Sequence, residues 1–261
     1  MSSPIWTHVA LSSEFQRYEG PCWRLVEAQH HVSTLKLTDT LAEQALLEEF
    51  IEETKPAIPP ECRDLDFLLA TPFRYGAIYP NGSRFRRAGR TPGVYYAAET
   101  PATAVAEMAF YRLLFFAESP DTPRPDGAAE YTAFAAQVAT ERALDLTAEP
   151  FSADKAIWTD RTDYSACQAF ADAARTAEAQ AIRYASVRDP AKGMNLALLT
   201  CAAFARTFPP ETQIRARQTW RIRLSRTGAQ ALCESPKQAL EFPRDVFADD
   251  PRIAGMDWDR K

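Results

Sequence analysis

The stretch from Gly93 to Phe116, "GVYYAAETPATAVAEMAFYRLLFF", constrains the fold more than any other. Its opening is short and aromatic and follows "RTP", as a strand does. Thr100 is placed to cap a helix, and Pro101 suits a first helical position, where its missing N–H would have had no partner. In the helix that follows, as far as Phe116, the only charged residues are Glu107 and Arg112. A chain built round this unit mixes strand and helix. In the strand the side chains alternate, so Tyr95 and Tyr96 face opposite ways and only one of them can line a given pocket.

The rest of the chain divides into three zones: residues 1–71 as an N-terminal helical extension, 72–206 as the core, and 207–261 as a C-terminal extension packing on it. In the first zone, "LTDTLAEQALLEEFIEETKP" predicts a helix capped by Thr38 or Asp39 and ended by Pro56. "KPAIPPECRD" reads as a proline-stiffened connector. In the second zone "SACQAFADAARTAEAQ" predicts a helix, and "AIRYASV" and "NLALLTCAAF" predict strands or buried apolar segments. In the third, "QTWRIRLS" alternates like a half-exposed strand, and "FADDPRIAGMDWDRK" reads as an irregular surface tail.

With 261 residues, 46% of them hydrophobic, the chain can bury one large core. A net charge of −5 speaks against a general nucleic-acid binder. The five cysteines form no metal-knuckle spacing and are expected to be reduced, as in a cytosolic protein. Three histidines without HExxH leave no case for a catalytic zinc, so no metal is expected. The start has no signal-peptide pattern, and no run of about 18 apolar residues suggests a membrane span. A soluble, cytoplasmic protein is the expectation.

Against that acidic background, Arg74, Arg84, Arg86, Arg87 and Arg90 fall between Thr71 and Val94 with no acid among them. Guanidinium groups match phosphate oxygens bidentately, so a diphosphate is the natural ligand; a solvated loop, or one paired with distant acids, is the alternative. Gly76, Gly82, Gly89 and Gly93 lie in the same segment but form neither GxGxxG nor a P-loop. Tyr75, Tyr79, Phe85, Tyr95 and Tyr96 add rings that could stack on a base or pack in a core. Glu107, in its apolar helix, is either exposed or buried for a purpose, and the strand–helix turn carries it back toward the arginines. Further on, "YASVRDPAKGMN" gathers Ser186, Arg188 and Asn195 near one strand end. No GxSxG or nearby histidine makes that serine a hydrolase nucleophile.

Taken in order, these pieces resemble the RES domain, over roughly Phe73 to Phe204. The resemblance rests on "FRYG" with Arg74, "GSRF" with Arg84, "YAAETPATAVAE" from Tyr96 to Glu107, and "YASVRDPAKGMN" with Ser186, Arg188, Gly193 and Asn195. It implies an α+β fold like that of diphtheria-type ADP-ribosyltransferases, a split mixed β-sheet core with flanking helices. It also implies NAD+ as substrate and the role of toxin in a bacterial toxin–antitoxin pair, with an antitoxin covering the active site. Family members destroy NAD+ by hydrolysis or phosphorolysis or transfer ADP-ribose to a protein acceptor. On this reading Glu107 steadies the ribose as nicotinamide leaves, and Arg74 and Arg84, with Arg86 beside them, hold the diphosphate. Tyr96 stacks near the nicotinamide, Ser186 bonds its amide or the ribose, and Arg188 and Asn195 complete the polar wall. The rivals are a nucleic-acid module and a binding protein without catalysis.

Overall fold

The computed structural model describes residues 6–27, 34, 37–75, 78–79 and 82–259. Gly76, His30, His31 and the side chains of Tyr79 and Arg90 lie outside the described residues. The strands are β1 (Gln16–Glu27), β2 (Ile78–Tyr79), β3 (Gly89–Arg90), β4 (Tyr95–Ala98), β5 (Ala129–Asp145), β6 (Ala181–Ala185), β7 (Met194–Leu198), β8 (Ala216–Ser225), β9 (Gly228–Cys233) and β10 (Gln238–Pro243).

Eight of them form a sheet in the order β1-β4-β7-β6-β5-β8-β9-β10, and β2 and β3 pair separately. The sheet is mixed, because β6 runs parallel to β5 while the other pairs are antiparallel. It is also split. One edge of β5 holds β8 along Ala129–Ala135 and β6 only at Ala143–Asp145, and its other edge holds β1. β1 in turn meets β4 at the single register pair Trp23–Ala98. Two wings, β4-β7-β6 and β8-β9-β10, therefore diverge from the β1–β5 pair. This is the mixed α+β architecture, with a sheet core and flanking helices, expected above.

Each wing has its own helix. The helix Pro101–Glu118 begins as its sequence requires, with Thr100 accepting from the backbone N–H of Thr103 and Pro101 in the first turn. It buries Val105, Ala109, Phe110 and Leu113 against Tyr131, Trp220 and their neighbours. The helix Ser165–Thr176 buries Cys167, Phe170 and Ala174 against Ile182, Tyr184 and Ala197. On the opposite face Tyr95, Leu196 and Leu198 pack on Leu65, Leu69 and Phe204. Tyr95 and Tyr96 thus face opposite sides of β4, as alternation demands.

Three expectations change. The helix Leu41–Thr54 is capped by Thr40, not Thr38 or Asp39, because Thr40 and Glu43 have the spacing of a reciprocal capping box. The C-terminal stretch is not a surface tail: a 3-10 turn directs Phe247 and a short helix directs Ile253 into the core, and Met256, just past that helix, joins them. Nor are all the cysteines reduced. Cys62 and Cys201, 139 positions apart, form a disulfide where the turn Pro60–Cys62 meets the turn Cys201–Ala203, whereas Cys22, Cys167 and Cys233 are free and buried. No spacing rule links cysteines so distant; only the fold brings them together.

Closing so long a loop restricts the unfolded chain, an effect of about 2–4 kcal/mol for typical disulfides. A Cys62→Ser/Cys201→Ser variant is therefore expected to melt several degrees below the oxidised protein and level with the reduced one. Equal melting of all three by calorimetry would show that the bond carries no stability.

Candidate active site

Glu107 lies in the second turn of the helix Pro101–Glu118 and is half-buried. Two side chains from the other wing meet it. Ser186, just past β6, donates from Oγ to Glu107 Oε1 at 2.7 Å. Asn195, on β7, donates from Nδ2 to the same oxygen at 2.6 Å. The backbone N–H groups of Arg188 (3.2 Å) and Asp189 (3.0 Å) donate to Ser186 Oγ. With both acceptor positions of that hydroxyl filled, its one proton is directed to the carboxylate. Ser186 is accordingly an orienting group for Glu107 rather than a nucleophile. Among the described residues nothing bonds Glu107 Oε2, and the buried Oδ1 of Asn195 has no partner either. One carboxylate oxygen is held and the other is open.

The β6–β7 connection is tied to the helix as well as to its own backbone. Thr103 Oγ1 donates to Asp189 Oδ2 at 2.8 Å, and the N–H of Gly193 donates to the same oxygen at 3.2 Å. A Cβ on Gly193 would come within 2.0 Å of Thr103 Oγ1, so this approach requires glycine.

Tyr96, Tyr184 and Asn195 share a face of the β4–β7–β6 wing, as the registers Tyr96–Ala197 and Tyr184–Asn195 require. The hydroxyl of Tyr96 meets Ser83 Oγ at 2.8 Å and accepts from the N–H of Phe85 at 3.0 Å, which docks the arginine-rich turn on the strand. Burial, and next the charge of Glu107, hold the Tyr184 hydroxyl well above its ordinary value, so it stays a neutral phenol. Tyr111, one helical turn beyond Glu107, is within electrostatic reach of it.

The arginines separate into distinct settings. Arg84 is buried, donating to the carbonyls of Trp158 (2.7 Å) and Asp160 (2.8 Å) and lying over the Tyr164 ring. Arg86 donates to the carbonyls of Tyr75 and Thr91. Arg87 pairs with Asp172 at 2.6 Å. Arg188 is buried, paired with Asp250 at 2.6 Å and stacked on Phe110. Arg74, at the end of the helix Phe67–Arg74, instead pairs with Glu52 and reaches the carbonyl of Pro56. The structure thus brings together Glu107, Ser186 and Asn195, sets Tyr96, Arg84 and Arg188 around them, and shows no contact between Arg74 and that group.

Two side chains that sequence reasoning did not single out stand nearby. Arg24 on β1 donates to the carbonyl of Tyr96 at 3.3 Å, lies over the Tyr95 ring, and makes no ion pair among the described residues. Asp250 is fully buried against Arg188. Arg24 carries a local signal, a cation inside the apolar run Cys22–Val26; Asp250, among several acids near the C-terminus, carries none. No group of three His, Cys, Asp or Glu among the described residues could hold a metal ion, and no described helix is long and apolar enough to cross a membrane.

Compared with known proteins, residues 58–225 match the family model described as RES domain, well over half of the chain. No curated protein matches. Among solved structures, one chain of the M. tuberculosis MbcT–MbcA toxin–antitoxin complex aligns at 17% identity over 79% of this chain and 90% of its own, with a TM-score of 0.44.

Proposed function

The chain belongs to the RES-domain family, and from that premise we propose that it is the toxin of a toxin–antitoxin pair, an enzyme that cleaves NAD+ at the nicotinamide–ribose bond and passes ADP-ribose to a protein. The observation that carries this reading is the carboxylate of Glu107, with Oε1 held by Ser186 and Asn195 and Oε2 open. Loss of nicotinamide leaves positive charge on the ribose. A fixed carboxylate stabilises that charge without having to reorganise, as in glycoside hydrolysis. The open Oδ1 of Asn195 offers a buried acceptor to a ribose hydroxyl or to the nicotinamide amide.

In this reading Tyr96 lines the nicotinamide side. Arg84 and Arg86 hold the diphosphate by exchanging their carbonyl partners for phosphate oxygens, and Arg188, buried against Asp250, adds positive charge from behind them. Arg74 would have to leave Glu52 to reach a phosphate. The proposed partner is an antitoxin that covers this site in the cytoplasm, where the Cys62–Cys201 pair would face a reducing environment. Transfer to a protein, rather than to phosphate or water, is supported by apolar side chains left exposed for protein contact on the acidic helix Leu41–Thr54, namely Leu41, Leu46 and Phe50.

Purified protein incubated with NAD+ labelled in its ADP-ribose part, with and without cell lysate, tests the reaction. A labelled protein band supports transfer. Label confined to small molecules replaces transfer with NAD+ hydrolysis or phosphorolysis. Intact NAD+ under all conditions removes the enzyme reading.

A further inference from the structure

The C-terminal segment after β10 lies outside the residues that match the RES domain. It nevertheless reaches the groups that hold Glu107. Asp250 is 0% exposed, and four donors fill its carboxylate. Oδ1 accepts from the backbone N–H and Nε of Arg252, both at 3.0 Å; Oδ2 accepts from Arg252 Nη2 at 2.9 Å and Arg188 Nη1 at 2.6 Å. Burial alone would push this carboxyl up, but the bonds from Arg252 and the charges of Arg188 and Arg252 hold it below the usual range.

From Asp250 a chain of contacts runs to the candidate catalytic acid. The Arg188 guanidinium carbon lies over the Phe110 ring, 3.8 Å from its centre, and Phe110 is on the same helix as Glu107. The backbone N–H of Arg188 bonds Ser186 Oγ, and Ser186 bonds Glu107. Arg188 Nη2 (2.7 Å), Arg252 Nη2 (2.9 Å) and the Tyr164 hydroxyl (3.0 Å) also converge on the carbonyl of Arg161. Arg84 holds the carbonyls of Trp158 and Asp160 in the same loop. Without Asp250, Arg188 would be a buried cation with no counter-charge, and it could not keep this position at low cost.

We propose that Asp250 is a positioning residue of the active site: it fixes Arg188, and through the Arg188 backbone it fixes the Ser186 hydroxyl on Glu107. The C-terminal segment is then a working part of the site rather than an appendage. The catalytic half of this inference rests on the function proposed above; the structural half does not.

The test uses the full chain with Asp250→Asn, and with Asp250→Asn combined with Arg188→Gln, which removes the buried charge that the single variant strands and leaves only the part-exposed Arg252, which can turn to solvent. Hydrogen exchange at the amides of Arg188 and Asp189 reads the positioning without substrate. Exchange there is expected to speed up in both variants while the amides of β5 stay protected. Steady-state kinetics with NAD+ reads the consequence: kcat falls by about 10- to 100-fold with little change in KM, the cost typical of a misplaced catalytic group. The double variant is expected to fold as the parent does and remain slow. If Asp250→Asn alone fails to fold, the double variant decides. Parent-like exchange at Arg188 and Asp189, or parent-like kcat in the folded double variant, overturns the proposal. If the parent itself leaves NAD+ intact, the function reading fails, and the exchange result still decides whether Asp250 positions Ser186.

Discussion

Glu107→Gln is expected to fold with an unchanged melting temperature and to lose NAD+ cleavage by ~10²–10³, the usual cost of removing one transition-state charge partner. The substitution is nearly isosteric. Its amide oxygen can still accept from Ser186 Oγ and Asn195 Nδ2, which now meet at Glu107 Oε1 at 2.7 and 2.6 Å. What disappears is the negative charge, needed only when the ribose becomes cationic. The loss should therefore fall on kcat, with KM for NAD+ nearly unchanged. Turnover within a few-fold of the parent would remove Glu107 from the chemistry. A large fall in melting temperature would make the residue structural instead.

Phe110→Ala should give the largest change in stability near the site. Phe110 is fully buried, meets Phe247 at 5.7 Å between ring centres, and carries the Arg188 guanidinium on its face. Truncating a buried phenylalanine typically costs ~3–5 kcal/mol through lost burial and the cavity left behind. In a chain of this size that is a fall of roughly 6–20 °C in melting temperature. Phe110→Leu retains most of the volume and loses the ring, so it should cost less than about 1.5 kcal/mol if the core repacks. Comparing turnover in the leucine variant then separates the packing of the helix from the seating of Arg188. A loss below about 1 kcal/mol in the alanine variant would show that the site around Phe110 collapses without penalty.

Much of the site was legible because its determinants are local. Thr100 and Pro101 start the helix that carries Glu107, and alternation in "VYYAA" turns only Tyr96 toward the face of Asn195 and Tyr184. The fragment "YASVRDPAKGMN" held both groups that grip Glu107, because a hairpin connection brings Ser186 and Asn195 close along the chain. The arginines were harder to read. Their number between Thr71 and Val94 is plain from the sequence, but their partners are not. Arg74 finds Glu52 in an earlier helix, Arg87 finds Asp172 in a later one, and Arg84 spends its donors on carbonyls more than 70 residues away.

By itself the sequence determined the elements and their polarity: the capped apolar helix with one carboxylate, the aromatic strand, and the hydroxyl and amide at the next strand pair. These follow from capping, alternation and helical period, which act over a few residues. Tertiary structure alone decided which cation meets which anion, that Cys62 joins Cys201, and that Asp250 near the C-terminus is buried beneath Arg188. The physical reason is that burial sets the cost of an unpaired charge. Which charges become buried depends on how the two wings and the last helix pack, and no local pattern records that.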